Sequence, residues 1–295
     1  MAGTAIIGLG AMGQGMARNI LAAGIPLSGF DLSPDARGRF AKAGGRTGDD
    51  AADLVADCDL LLVMVATAAQ AEAALFGGVT DALAPGAVVI LSSTVAPSEA
   101  RAIAARLNDA GHVMLDAPVS GGQVGAESGT LTIMASGPPA AFERADALLA
   151  AVSKKVHRLG DEPGMGATYK VVHQLAAGVH LVAAAELMAF GAKAGCDPQT
   201  LLDIVSSSAG QSWMMDDRVP RMMQVDPVAT STVDIFIKDL GLVVQSARDS
   251  GVPVPLAAAA YQMMVGAGGM GLGRHDDSAV IRAYEALTNC KVTES

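Results

Sequence analysis

The sequence predicts an α/β protein: a doubly wound parallel sheet, followed by an all-helical C-terminal domain joined to it by a long interdomain helix. Three observations predict this. Short apolar runs alternate with helical stretches over roughly the first 160 residues, the strand signal nearly disappears beyond them, and the 295-residue chain is 51% hydrophobic but only 17% charged. Strands alternating with helices build βαβ units, whose parallel sheet is covered on both faces. So apolar a chain buries a sizeable core, which excludes intrinsic disorder.

Residues 5–8, 27–30, 60–66, 87–91 and 112–116 are short apolar runs punctuated by Gly, Pro, Ser or Asp, the pattern of buried parallel strands. Helices are expected at 12–23, 34–43, 68–75 and 97–110. A strand at 131–135, a helix at 138–150 and a short strand at 155–159 complete the first domain. Asp161-Glu-Pro-Gly-Met-Gly166 is turn material, so the expected domains are 1–163 and 164–295. Beyond the boundary, 168–194 reads as one long helix of small and apolar residues, ended by Gly195 with Asp197-Pro198 following. Further helices are expected at 198–207, 213–223, 234–250, 255–265 and 278–287. Ser231-Thr-Val-Asp234 has the spacing of a capping box before the fourth helix of the second domain.

Composition excludes several function classes. Lys and Arg number 20 against 30 Asp and Glu, a net charge of −10, and the aromatics are one Trp, three Tyr and six Phe. Phosphate neutralisation and base stacking both lack material, so nucleic acid is not an expected partner. The uncharged run 251–273 holds Pro253, Pro255, Gln262 and a glycine cluster from Gly266, which do not make one clean lipid-spanning helix, and no membrane partner is expected. No basic region precedes an apolar stretch at the start, and Cys58, Cys196 and Cys290 are scattered without CxxC spacing. Both fit a cytoplasmic protein without disulfides. His173 and His180 lie seven apart with no third ligand, so no metal is expected. Phosphate-loop, GxSxG and HExxH signatures are absent.

Gly8-Leu-Gly10-Ala11-Met12-Gly13 follows a strand-like run and opens a helical one. In that context the glycines allow a tight turn, close backbone approach to a pyrophosphate, and close helix–strand packing. The phosphates then lie at the helix N-terminus, where free amides and the helix dipole favour anions. The next strand-like run ends in Asp31, 18 residues after Gly13. A carboxylate there accepts hydrogen bonds from the adenosine ribose and repels a 2′-phosphate, so NAD is favoured over NADP. Arg37 and Arg39, further along, soften that preference.

Lys170 stands near the start of the long helix, with His173 and Gln174 three and four residues on and therefore on one helical face. Three polar groups on an otherwise apolar helix are costly unless something polar meets them. The alternative is an amphipathic helix with a solvated Lys, and the lack of an acid at i+4 to make a simple surface pair tips the reading slightly toward a site. Asp116-Ala-Pro-Val-Ser120-Gly121-Gly122 ends a strand in a loop whose amides and hydroxyl suit a carboxylate; on residue types alone such a segment is more often just a turn. Lys238-Asp239 reads as a surface pair or, facing a cleft, as part of a site. Trp213, the single tryptophan, fits core or cleft wall.

Taken together, Ile7–Asn19, residues 116–134, Lys170 and Lys238-Asp-Leu-Gly241 resemble the β-hydroxyacid dehydrogenases, the family of 3-hydroxyisobutyrate dehydrogenase and tartronate semialdehyde reductase. The resemblance runs through essentially the whole chain and implies a Rossmann-type N-terminal domain, an interdomain helix, a helical C-terminal domain, and a homodimer or homotetramer. It assigns Lys170 as the catalytic acid/base, and Ser120, Gly121 and Gly122 as the substrate carboxylate loop. Gly8, Gly10, Ala11, Met12, Gly13, Asp31, Val65, Ala66, Thr94 and Lys238 become cofactor contacts, and Trp213 and Asp239 line the substrate cleft.

One departure is informative. The common family pattern after the lysine has two asparagines, where this chain has His173 and Gln174. Lys170 through His180 instead resembles the branch acting on four-carbon acid sugars, the L-threonate dehydrogenases, as do residues 66–77 and 211–218. That branch implies NAD-dependent oxidation of L-threonate at C2 to 2-dehydro-L-erythronate, with His173 and Gln174 reading the substrate hydroxyls. A free lysine near pKa 10.4 is a poor base, and burial beside a cationic nicotinamide lowers it toward use. The alternatives are a 3-hydroxyisobutyrate dehydrogenase or a tartronate- or succinic-semialdehyde-type reductase and, from another class, a non-catalytic NAD-binding scaffold, against which the retained Lys170 argues.

Overall fold

The computed structural model describes residues 3–56 and 58–292; residues 1–2, 57 and 293–295, at the ends of the expected domains and before the third strand, lie outside it. Two compact units meet within one helix, the first ending at Lys170 and the second beginning at Val171.

The first unit runs β1 (Gly3–Ile7), α1 (Ala11–Ala22), β2 (Leu27–Phe30), α2 (Pro34–Lys42), α3 (Ala51–Val55), β3 (Cys58–Val63), α4 (Ala68–Phe76), α5 (Val79–Ala82), β4 (Val88–Leu91), α6 (Pro97–Asp109) and β5 (Val113–Asp116). Then come β6 (Val119–Ser120), α7 (Gly122–Glu127), β7 (Leu131–Ala135), α8 (Pro139–Val152), β8 (Ser153–Arg158) and the start of α9 (Met165–Lys193). Strands β1 to β5 form one parallel sheet in the order β2-β1-β3-β4-β5. Beyond β2, Arg46 continues the edge through a single parallel bridge to Ser28. Counting that bridge as a strand, the order is 3-2-1-4-5-6, that of dinucleotide-binding folds.

Period-two alternation builds the layers. Ile6, Leu60, Leu62, Val88, Ile90 and Leu115 feed one core with α1, α2 and α8 residues such as Ile20, Phe40 and Leu148. Their neighbours Ala5, Ile7, Leu61, Val63, Val89, Leu91 and Met114 feed another on the opposite face with Leu75, Ile103 and Leu107. Successive strand side chains point to opposite faces, so a strand apolar at every position is buried on both.

The expected strands at 131–135 and 155–159 do not join this sheet. They are β7 and β8 of a separate three-stranded sheet, β6-β7-β8, with β6 antiparallel to β7. An antiparallel bridge between Asp116 and Ser136 links the two sheets. The segment around Ser120 is thus a short strand followed by a helix, too short for periodicity to reveal.

In the second unit the rest of α9 is followed by α10 (Pro198–Ser206), α11 (Trp213–Met222), α12 (Val233–Asp249), α13 (Pro255–Ala267) and α14 (Ile281–Thr288). Leu181, Val182, Ala185 and Met188 of α9 pack with Met215, Val219, Phe236, Leu240, Met264 and Ile281. Over 29 residues α9, rather than the uncharged run 251–273, is long and apolar enough by length and composition to cross a membrane. Part of its apolar surface, including Leu181, Val182, Ala185 and Met188, is buried in this core, while Tyr169, Val172 and Phe190 are exposed. The cap of α12 is Thr232, one residue later than the capping-box spacing indicated, with its hydroxyl accepting from the Ile235 amide. Arg218 and Arg221 of α11 are held by Asp277, Asp217 and Asp276, and Arg218 and Asp277 are both buried. A cavity of about 370 Å³ beside this network is lined by Arg221, His275, Asp276 and Arg282; both of its arginines are already ion-paired.

Candidate active site

The glycine loop has a distinct task at each glycine. Gly8 ends β1 at φ +98, and a Cβ there would come within 2.1 Å of the Met64 carbonyl oxygen. Gly13, inside α1, has its Cα face against β1, where a Cβ would meet the Gly8 oxygen at 1.9 Å. Gly10, the cap of α1, has open space where its Cβ would be, and no side chain caps the helix. The amides of the first turn, at Ala11 and Met12, therefore present a cradle open to an anion. A dinucleotide pyrophosphate fits it on steric and electrostatic grounds.

The flanking strand ends are fixed by their own side chains. The Asp31 carboxylate accepts from the Leu9 amide at 2.7 Å and the Ser33 amide at 2.8 Å, tying the end of β2 to the glycine loop. Arg37 donates to the Asp31 carbonyl and pairs with Asp49, while Arg39 is exposed. At the end of β3, the Val65 amide donates to the Ser93 hydroxyl and the Ala66 amide to Gln70. Thr94 follows β4 and is half-buried. Ser93 and Gln70 were not singled out in the sequence, because holding an amide leaves no motif.

Ser120 ends β6, Gly121 caps α7 and Gly122 begins it, with both glycines at positive φ (+131 and +61). Two contacts tie this loop to the cofactor helix. A Cβ on Gly15 would meet the Ala126 backbone at 2.7 Å, so only glycine lets α1 and α7 approach so closely. Asn19 then donates to the Ala126 carbonyl at 2.7 Å. Gly15 and Asn19, within the quoted Ile7–Asn19 segment but not assigned a task there, connect the two expected ligand loops. Lys170 is buried (6% exposed) in the second turn of α9, within this same unit.

The second unit brings together four more of the expected residues. The Gln174 amide donates to Asp239 Oδ2 at 2.5 Å, its Oε1 lies 3.0 Å from His173 Nδ1, and Lys238 pairs with Asp239 Oδ1 at 2.7 Å. His173, Gln174, Asp239 and Lys238 thus form one continuous polar chain between α9 and α12. Gln174 and Asp239 are buried within it, and His173 is exposed. Trp213 is 54% exposed, with the Arg218 guanidinium 5.8 Å from the centre of its ring. Among the described residues no group of three or more His, Cys, Asp or Glu is placed to hold a metal ion.

Comparison with known proteins shows the family. Residues 4–160 match the family described as the NAD binding domain of 6-phosphogluconate dehydrogenase, and residues 164–284 that described as NAD-binding of NADP-dependent 3-hydroxyisobutyrate dehydrogenase. The chain is 48% identical over 284 residues to an L-threonate dehydrogenase from Cupriavidus necator, covering 96% of each protein. It is 46% identical over 286 residues to one from Escherichia coli, covering 96% of this chain and 95% of the relative. A crystal structure of a 3-hydroxyisobutyrate dehydrogenase from Salmonella typhimurium matches with a TM-score of 0.90 at 43% identity, covering 96% of this chain and 99% of that one.

Proposed function

The chain belongs to the β-hydroxyacid dehydrogenase family, as an NAD(P)-dependent oxidoreductase of CH–OH donors, and we propose that its substrate is L-threonate, oxidised at C2 to 2-dehydro-L-erythronate. The observation that carries this reading is the polar chain His173–Gln174–Asp239–Lys238, which begins one helical turn after Lys170. An apolar branched acid offers no hydroxyls to the exposed His173 end of this chain, whereas a polyhydroxylated four-carbon acid does, and sites built to hydrogen-bond substrate hydroxyls discriminate strongly in this way. The names of the two L-threonate dehydrogenases support the same substrate.

Ser120, Gly121 and Gly122 hold the substrate carboxylate, with the glycine amides as donors. Lys170, buried in α9, takes the proton of the 2-hydroxyl on its Nζ as the C2 hydrogen leaves as hydride. The bound dinucleotide supplies the hydride acceptor at its nicotinamide ring. His173 and Gln174 read the remaining hydroxyls, Asp239 orients Gln174, and Trp213 borders the substrate. Gly8, Gly10, Ala11, Met12 and Gly13 seat the pyrophosphate, while Val65, Ala66, Thr94 and Lys238 border the nicotinamide half.

The cofactor is NAD rather than NADP. Asp31 places a carboxylate at the end of β2, which repels a 2′-phosphate, and Arg37 is already engaged by Asp49 and the Asp31 carbonyl. The protein works in the cytoplasm as a homodimer or homotetramer, which the exposed Tyr169, Val172 and Phe190 along α9 support. A second reading, oxidation of 3-hydroxyisobutyrate, draws on the name of the Salmonella typhimurium structure.

A substrate panel of L-threonate, D-erythronate, D-glycerate and 3-hydroxyisobutyrate, each with NAD+ and NADP+, separates the two. The expected result is turnover of L-threonate with NAD+; an inert L-threonate beside a well-used 3-hydroxyisobutyrate reverses the assignment. Lys170→Ala is expected to abolish turnover while NAD+ still binds by calorimetry, and substantial residual kcat would remove Lys170 from the role of base.

A further inference from the structure

The cap of α9 does not come from its own sequence. Gly164, directly before the helix, has no side chain to offer, and the first-turn amides are met by two residues from the sheets. Asp116 Oδ2, at the end of β5, accepts from the Gly164 amide at 2.9 Å and the Ala167 amide at 2.8 Å. Ser136, just after β7, accepts from the Gly166 amide at 3.0 Å and donates to the same Asp116 oxygen at 3.4 Å. Between them Gly166 lies against the strands so closely that a Cβ would come within 2.5 Å of both the Asp116 and Met134 carbonyl oxygens. Asp116 and Ser136 are fully buried, and among the described residues Asp116 Oδ1 has no hydrogen-bond partner.

A local cap stabilises a helix without placing it, whereas a cap reaching in from a strand also fixes where the helix starts and how it is rotated. Here the strand is the one that leads, four residues on, into Ser120-Gly121-Gly122, and the helix is the one that carries Lys170 four residues after Gly166. We propose that Asp116 is a positioning residue for the reaction: with Ser136 it pins the first turn of α9 and so sets Lys170 against the carboxylate loop. This rests on Lys170 being the proton acceptor. A buried carboxylate with one oxygen unsatisfied is an expensive helix cap, and its presence at this junction fits a task beyond stability. Burial pushes the Asp116 carboxyl up to about 6, against the pull of the Ala167 and Gly164 amides, Ser136 and Arg101 of α6. It is therefore ionised at neutral pH, when its bonds to the amides are strongest.

The test compares Asp116→Ala, which removes the acceptor, Asp116→Asn, which keeps a neutral one, and Ser136→Ala, a small change that the fold tolerates. Two readouts need no substrate: amide exchange in a peptide spanning residues 163–172, and the rate at which acetic anhydride labels Lys170. Asp116→Ala is expected to raise both by about tenfold and to lower kcat by about tenfold, with KM for NAD+ unchanged. Ser136→Ala moves each in the same direction by about threefold, and Asp116→Asn stays within about threefold of wild type. Unchanged exchange and labelling in both alanine variants overturns the proposal even if no hydroxy acid is turned over, a result that would separately remove the proposed function. Exchange that rises while labelling and kcat stay at wild-type values also overturns it, because Asp116 is then a helix cap alone. If Asp116→Ala fails to fold, Ser136→Ala and the rescue by Asp116→Asn decide on the same readouts.

Discussion

Replacing Asp116 by Asn should make the protein more stable at neutral pH, and the structure sets the size of the effect. Burial raises the folded-state pKa of this carboxyl from 3.8 to about 6, so the folded protein holds a proton through a pH range in which the unfolded chain has released it. The folded state binds more protons between those values, and stability therefore falls as pH rises from about 4 to about 6. The full penalty, about 2 pKa units at about 1.4 kcal/mol each, reaches ~3 kcal/mol and is present above the folded-state value. About 2 kcal/mol of it develops between pH 4.5 and 7.5, because at pH 4.5 the folded carboxyl is protonated and most of the unfolded one is not. Asn cannot ionise and keeps an oxygen for the Gly164 and Ala167 amides. Urea unfolding of both proteins at the two pH values measures the effect: the advantage of Asp116→Asn over wild type should grow by about 2 kcal/mol from pH 4.5 to 7.5. A difference that stays constant with pH, or shrinks toward neutrality, would refute the claim that a buried charge is maintained at this cap.

Other perturbations test other parts of the molecule. Gly13→Ala places a Cβ 1.9 Å from the Gly8 oxygen, so NAD+ affinity by calorimetry should fall by about tenfold or more as helix and strand are forced apart. Asp31→Ala releases the Leu9 and Ser33 amides and removes the charge that repels a 2′-phosphate; the ratio of kcat/KM for NADP+ to that for NAD+ should rise by about tenfold. Asp277→Ala takes the acceptor from Nε and Nη2 of the buried Arg218 and leaves it only Asp217 as ion partner, and denaturant unfolding should register a loss of about 3 kcal/mol, far more than an exposed pair such as Arg158 with Asp146 contributes. Gln174→Leu removes the donor to Asp239, and kcat/KM for L-threonate should fall by about a hundredfold, with a much smaller effect on NAD+ binding.

The sequence by itself determined the parallel sheet, the glycine loop and the helical second half. Those features are written in short-range patterns: strands apolar at every position, Gly8, Gly10 and Gly13 between a strand and a helix, and an apolar stretch too long for one layer. The family resemblance rests on the same local segments, which is why Lys170 and Ser120–Gly122 stand out in the sequence as the proposed proton acceptor and carboxylate loop. Tertiary structure alone decided that β7 and β8 leave the main sheet for one of their own, since pairing partners are chosen by contacts distant in sequence and β6 is only two residues long. It also decided that Asn19 and Gly15 bind α1 to α7, and that Gln174 reaches Asp239 across 65 residues of chain. Asp116 shows the difference most clearly. In the sequence it is the acid that ends a strand, and nothing nearby marks it as a cap. Its partners at Gly164 and Ala167 lie 48 and 51 residues away, and a hydrogen bond at that separation has no period or motif to betray it. Only the packing of Gly166 onto the strand ends brings the carboxylate to the amides that the chain itself leaves uncapped.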